Sequence, residues 1–373
     1  MRVLQISTPF LPVSSNLRYG GSERIVYLLD KELNLRGLSA GVVAPRDSTP
    51  ESYLYPTISK SLGVDGILDK SQNSEFMGFA VRAEHLAQSI KYANELKDMD
   101  IVHIHDDNIL PFDFLLNKPS LITLHSDIDS FWDLSLTPSL KDKKSKFVSI
   151  SQNQKKIQEA RGHKVDYAVY NGVEENKFSI SNSIQNYLLT LGSIQPVKGQ
   201  HNAIEVAKKT GFDLIIAGNI GNKNYFDEKI SPNITYDLSK EEDKLEEYLS
   251  IKSSSQKLVY VGPVTDEQKA PLYSYAKAFL MPIEWEEPFG LVMVESMMSG
   301  TPVIAFNRGS IPEIVQEGTG YIVNNLEEMV EAVKNIDCFD REKIREKAID
   351  KFGKKQMVDN YIKVYQDILN QKD

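Results

Sequence analysis

The sequence has 373 residues, 41% hydrophobic and 25% charged, ordinary values for a folded chain of roughly two to three domains, so wholesale disorder is excluded. It carries 52 acidic and 43 basic residues, a formal net charge of −9, which argues against wrapping nucleic acid; no nucleic-acid partner is expected. The one cysteine, Cys338, excludes an internal disulfide framework and a cysteine-built zinc site, and fits a reducing cytoplasm.

The opening residues MRVLQISTPFLP are interrupted by Pro9 and Pro12 too early for a signal-peptide core. No stretch approaches the ~18 apolar residues of a membrane span. The expected location is cytoplasmic, either free or held peripherally at the inner membrane face.

Short apolar runs alternate with amphipathic stretches. The pattern predicts strands over 3–6, 41–44, 101–105, 121–125, 147–150 and 167–170, and helices over 21–36 and 81–96. The stretch 171–186, NGVEENKFSISNSIQN, is polar and without period, and reads as a linker. A second series predicts strands over 187–191, 213–217, 258–261, 278–281, 302–305 and 320–323. Helices are predicted over 201–209, 291–298 and 327–335, and the tail over 342–370 shows a long helical pattern rich in charge. The fold class is therefore α/β, with two doubly wound parallel-sheet domains in tandem. The first half is near neutral and the second carries most of the negative charge. Lys141, Lys143, Lys144 and Lys146, with Lys155 and Lys156 nearby, read as a solvated loop and helix face. The sharper reading is a patch for anionic lipid or a phosphorylated acceptor.

The most informative segment is PIEWEEPFGLVMVESMMSGTPVIA, residues 282–305. A strand end leads through a loop to Pro288, just ahead of a helix, where a missing N–H costs nothing. Phe289, Gly290 and Leu291 then supply the first free amide N–H groups at the positive end of a helix dipole, and Gly290 lets an anion approach: a phosphate site. Glu287 stands at its mouth, and Glu295 lies one turn beyond Leu291. Ionised carboxylates only accept hydrogen bonds, so vicinal hydroxyls suit them, and a sugar–phosphate–ribose ligand follows. A second motif, GSIQPVKG at 192–199, joins a strand to a helix at the carboxyl end of the sheet, where Lys198 can reach a phosphate.

EPFGLVMVE resembles the E-x7-E segment of retaining glycosyltransferases of family 4, and GTPVIAFNRGSIPEIVQEGTGYIV, GSIQPVKG, YGGSE and NGV match that family too. The resemblance spans nearly the whole chain and implies the GT-B architecture, two Rossmann-like domains facing across a cleft. The expected division is an acceptor-binding domain over 1–178, a nucleotide-sugar domain over 186–352 and a tail helix over 353–373 that crosses back to the first domain. By resemblance, Lys198 binds the donor pyrophosphate, Glu287 the sugar hydroxyls and Glu295 the ribose. The amides of Phe289, Gly290 and Leu291 hold phosphates and sugar. Base recognition falls to the loop Gly262–Val264. Ser193 stands where the family usually has Arg, which removes one pyrophosphate cation.

In the first half, Gly20 and Gly21 permit close backbone approach, with Ser22 as a helix cap, and the resemblance sets this loop beside the donor diphosphate. No G-x-G-x-x-G follows the first strand, against a dinucleotide reading. His125, in TLHS, matches the family's active-site histidine. His105, in VHIHDDN, reads equally as a core residue or an acceptor-side one. Arg18 and Tyr19 complete the acceptor side, while His85, His163 and His201 belong to packing or surface. Two D-x-D strings, at 98–100 and 127–129, read as coincidence: no metal site and no bound cofactor are expected, the nucleotide-sugar being a co-substrate. The implied reaction moves a sugar from a nucleoside-diphosphate donor to a hydroxyl acceptor, with retention and without metal. The alternatives are a catalytically weakened nucleotide-sugar-binding protein, suggested by Ser193, or a sugar-nucleotide epimerase.

Overall fold

The computed structural model describes residues 1–15, 17, 20–63, 74–126 and 144–371. They form two compact units, Met1–Gly172 with Lys354–Asp373, and Val173–Gly353.

The first unit holds a seven-stranded sheet: β1 (Val3–Ile6), β2 (Ser39–Ala44), β3 (Leu54–Pro56), β4 (Ile101–Ile104), β5 (Ser120–Leu124), β6 (Lys146–Ser149) and β7 (Tyr167–Ala168). Its order is β3-β2-β1-β4-β5-β6-β7, and its pairings are parallel. Both faces are covered, which is why the strands read as continuous apolar runs. Alternation along β2 shows it: Val42 and Ala44 pack with Val26 and Tyr27 of helix Ser22–Leu35, whereas Val43 faces Leu86 and Ala93 of helix Ser74–Glu95.

The second unit repeats the plan with β8 (Tyr187–Leu191), β9 (Asp213–Ala217), β10 (Tyr236–Asp237), β11 (Leu258–Gly262), β12 (Ala278–Met281), β13 (Val303–Phe306) and β14 (Gly320–Val323). The order is β10-β11-β9-β8-β12-β13-β14. Leu188, Leu214, Ile216, Leu280 and Ile304 meet Ala203, Ile204 and Ala207 of helix Gln200–Thr210, and Met329 and Val333 of helix Leu326–Lys334, in one buried cluster.

Two expectations need correction, the linker and the Ser22 cap, and the tail gains a precise break. The stretch 171–186 is not a free linker: from Val173 on it belongs to the second unit, with a 3-10 turn at Glu175–Lys177 and Phe178 buried. The charged tail is two helices, Arg341–Phe352 and Lys354–Asn370, because Gly353 is extended (φ −63°, ψ 152°) and bridges Val173. Ser22 does not cap its helix; Gly21 holds the cap position, and the Ser22 hydroxyl donates to Glu23 Oε2 at 3.0 Å. Helix Lys354–Asn370 is packed into the first unit, where Met357, Val358, Tyr361, Val364, Tyr365 and Ile368 are buried. Among the described residues no helix is long and apolar enough to cross a membrane.

Candidate functional site

In a doubly wound sheet, ligands bind beyond the carboxyl ends of the strands where the strand order reverses. In the second unit that point lies between β8 and β12, and both motifs of this half leave from there.

The loop after β8 carries Lys198. Gly199 is left-handed (φ +68°), and a Cβ there would overlap the Pro282 carbonyl oxygen. The amide of Glu284 donates to Val197 O at 2.8 Å. These contacts fasten the lysine turn to the loop after β12. Lys198 Nζ then reaches Glu287 Oε2 at 2.7 Å and lies 4.7 Å from the centre of the Trp285 ring. Trp285 Nε1 donates to the same oxygen at 2.9 Å. Glu287 Oε2 is thus used twice, while an ammonium with three donors keeps others for a ligand.

The loop after β13 buttresses this arrangement. Ser310 N donates to Glu287 O at 2.9 Å, Gly309 N to Glu286 Oε2 at 2.7 Å, and Ser310 Oγ to Phe289 O at 2.9 Å. Gly290 follows in the left-handed region (φ 85°, ψ 63°) and opens helix Leu291–Met298 without a side-chain cap, so the positive dipole end is left to a ligand. Phe289 is buried, while Gly290 and Leu291 are half-buried at the opening. Arg308, beside Gly309, is exposed, and its guanidinium makes no ion pair or hydrogen bond among the described residues.

Glu295 is on the same helix, but its carboxylate is engaged. Lys269 Nζ lies 2.5 Å from Oε1 and Tyr273 OH donates to Oε2 at 3.2 Å. Lys269 also pairs with Asp266 at 3.0 Å, and Asp266 with Lys177 at 2.9 Å. Lys269 and Glu295 are both buried. Ser193 accepts from Gln195 Nε2 at 3.1 Å and sits against Gly221, where a side chain would strike it. Gly262 (φ +67°) accepts from Gly218 N at 2.8 Å, drawing the loops after β9 and β11 together, and Val264 is buried just beyond.

In the first unit the reversal lies between β1 and β4. A cavity of about 250 Å³ opens there, lined by Thr8, Ser22, His105, Asp106, Asn108 and His125, among others. Gly20 (φ +108°) packs on Leu11 beside it. Buried Glu23 takes the Thr8 hydroxyl at 2.5 Å and Ser22 at 3.0 Å. Asp106 accepts from Asn108 N at 3.1 Å and Nδ2 at 2.7 Å, and burial pushes its pKa up. His105 Nδ1 lies 2.9 Å from His125 Nε2. Burial lowers both rings, His125 to about 4 and His105 well below the usual histidine range, so both are neutral at pH 7.

The structure therefore brings Lys198, Glu287, Phe289, Gly290 and Leu291 together, and His105 with His125. Arg18, Tyr19 and Asp127–Asp129 lie outside the described residues. Asp100 caps the chain start through Arg2 N at 2.7 Å. His85 is a packing residue, bound to Thr57 Oγ1 and Ser7 O. Sequence reasoning missed Trp285, Lys269, Tyr273, Arg308, Thr8 and Asp106. Trp285 and Arg308 stand inside motifs already quoted; Lys269 and Tyr273 left no local signal.

A model of the family described as glycosyl transferases group 1 matches residues 173–356. An uncharacterized 41.2 kDa protein in the cps region of Klebsiella pneumoniae is 34% identical over 121 residues, 31% of this chain and 34% of that protein. The chain spans about a third or less of the first curated relatives it matches. O-antigen chain mannosyltransferase C of Escherichia coli is 21% identical, with both chains covered completely. Among solved structures, Anabaena HepE in complex with UDP and glucose superposes with a TM-score of 0.70 at 17% identity, covering 98% of this chain and 100% of that one. The fold is the GT-B type, two Rossmann-like units.

Proposed function

Through residues 173–356 the chain belongs to the glycosyl transferases group 1 family, and on that premise we propose that it moves a glycosyl group from a nucleoside-diphosphate sugar to a hydroxyl acceptor. The observation that carries the reading is the Lys198–Glu287 pair at 2.7 Å, set at the uncapped start of helix Leu291–Met298. A cation and a helix dipole there suit a diphosphate, and a carboxylate held between them suits sugar hydroxyls.

The second unit binds the donor. As the bond from the anomeric carbon to the diphosphate oxygen breaks, negative charge grows on the leaving group. Lys198 and the amides at 289–291 meet that charge, which is stronger in the transition state than in the bound donor. Arg308 supplies the second cation that Ser193 does not. Glu287 positions the sugar through its hydroxyls and is not a covalent nucleophile. The acceptor hydroxyl attacks from the face the leaving group departs, so configuration is retained, and a departing phosphate oxygen takes its proton. No metal is required, since ammonium, guanidinium and amides neutralise the diphosphate. Glu295, through its lysine-held carboxylate, meets the ribose. In the first unit the cavity at His125 takes sugar hydroxyls. Loss of the Arg at 193 favours one second reading, a nucleotide-sugar-binding protein without turnover.

The test is a thermal-shift screen with UDP-, GDP- and ADP-sugars, followed by donor-dependent transfer to mixed acceptors and donor hydrolysis without acceptor. UDP-glucose comes first, because HepE was solved with UDP and glucose. Binding with transfer supports the proposal. Binding with neither transfer nor hydrolysis supports the second reading, and no binding by any donor overturns both.

A further inference from the structure

One face of the first sheet carries a row of polar side chains where core residues would be expected. Gln5 of β1 pairs in register with His103 of β4. His103 bonds Tyr365 OH through Nδ1 and Thr123 Oγ1 through Nε2, each at 2.7 Å. His105, two residues on, stacks on His125 with ring centres 5.2 Å apart and planes 24° from parallel. The His105 Nδ1 to His125 Nε2 distance of 2.9 Å leaves room for one shared proton. His105 Nε2 is buried with no hydrogen-bond partner among the described residues. His125 Nδ1 makes no bond to the protein there either, but it belongs to a half-buried ring at the cavity wall.

A neutral imidazole has one N–H and one lone pair. Two arrangements satisfy the pair. In the first, His125 donates from Nε2. His105 then accepts at Nδ1 and must carry its own proton on Nε2, a buried N–H with no acceptor. In the second, His105 donates from Nδ1, and its Nε2 is a bare lone pair. Orphaned buried N–H groups are rarer and costlier than unused lone pairs. We propose that His105 is a positioning residue that donates from Nδ1 to His125 Nε2 and thereby fixes His125 as the Nδ1–H tautomer, so that His125 offers the cavity a hydrogen-bond donor. That face of the ring then recognises an oxygen acceptor, a sugar hydroxyl or a phosphate oxygen, and cannot withdraw a proton. What fills the cavity rests on the proposed function; the tautomer does not.

The experiment is a long-range proton–nitrogen NMR spectrum of the full chain with 15N-labelled histidine at pH 7.5, without ligand, the His125 signals being identified by their loss in His125→Gln. The expected result is a protonated, pyrrole-type nitrogen at His125 Nδ1 and a pyridine-type one at Nε2. The reverse pattern, as a buried water accepting from His105 Nε2 would give, overturns the proposal. His105→Phe removes the donor, and the His125 Nδ1–H signal is expected to be lost as the ring turns to the Nε2–H form. Persistence of the signal in that variant also overturns it. Should His105→Phe fail to fold, the wild-type spectrum decides alone. No donor takes part, so failure of the tautomer and failure of glycosyl transfer are separate results.

Discussion

Lys198 and Glu287 hold each other at 2.7 Å, so a change in either is felt by both. Glu287→Gln keeps the side-chain shape and removes the charge; initial rates of transfer are expected to fall at least ~100-fold with the melting temperature little changed. A rate near wild type would take Glu287 out of the site. Lys198→Ala is expected to cost about 2–4 kcal/mol of transition-state stabilisation, by analogy with removing one donor to a developing oxyanion. That is read as a fall in kcat, and a rate within about twofold would make Lys198 a bystander. Lys269 behaves differently because it is buried against Glu295. Removing one partner of a buried pair leaves a charge without compensation, so Lys269→Ala is expected to lose about 3–5 kcal/mol of stability in urea unfolding. At this scale the sequence pointed to Lys198 and Glu287 through their motifs. It was silent on Lys269 and Tyr273, which reach Glu295 from a different helix.

At the scale of elements, the strands were the most legible part. Apolar runs buried on both faces give each a strong local signature, and β1, β8, β9, β12 and β14 fall where the pattern put them. The edge strands β3 and β10 were missed, being three and two residues long. In the tail the helical period continues on both sides of Gly353, and its pairing with Val173 marks the break between the two helices. The loops are set by glycine. Gly309 has φ +55°, and a Cβ there would overlap the backbone of Glu287. Gly309→Ala combines left-handed strain with overpacking against main chain, and is expected to cost about 2–4 kcal/mol in denaturant unfolding. It is also expected to reduce turnover by displacing Glu287.

For the whole molecule, the chain visits the first unit twice. Arg36 pairs with Asp359 at 2.6 Å and Lys354 with Glu32 at 3.0 Å, and Tyr361 and Tyr365 close over Thr123 and His103. His85, His103, His105 and His125 all lie in this unit, with pKa lowered by removal from water, His85 and His125 to about 4. Between about pH 4 and 6.5 the unfolded chain therefore binds more protons than the folded one, and stability must fall as the pH falls through that window. Asp30 and Asp106, raised by burial, oppose this just above pH 3.8. The expected outcome, read by circular dichroism, is a lower melting temperature of the first unit at pH 4.5 than at pH 7. An unchanged value would mean that the histidines are not buried as neutral rings.

The sequence by itself determined two doubly wound units, and it singled out the helix start after Pro288 together with Lys198, Glu287 and His125 as the candidate site. Each rests on backbone period or on neighbours a few positions apart, which a linear reading can see. The tertiary structure alone decided that Lys198 closes on Glu287 across 89 residues, that Glu295 is claimed by Lys269, and that His103 bonds Tyr365 across 262 residues. Strand order and helix packing create those pairs, and side chains on separate elements leave no trace in the local pattern.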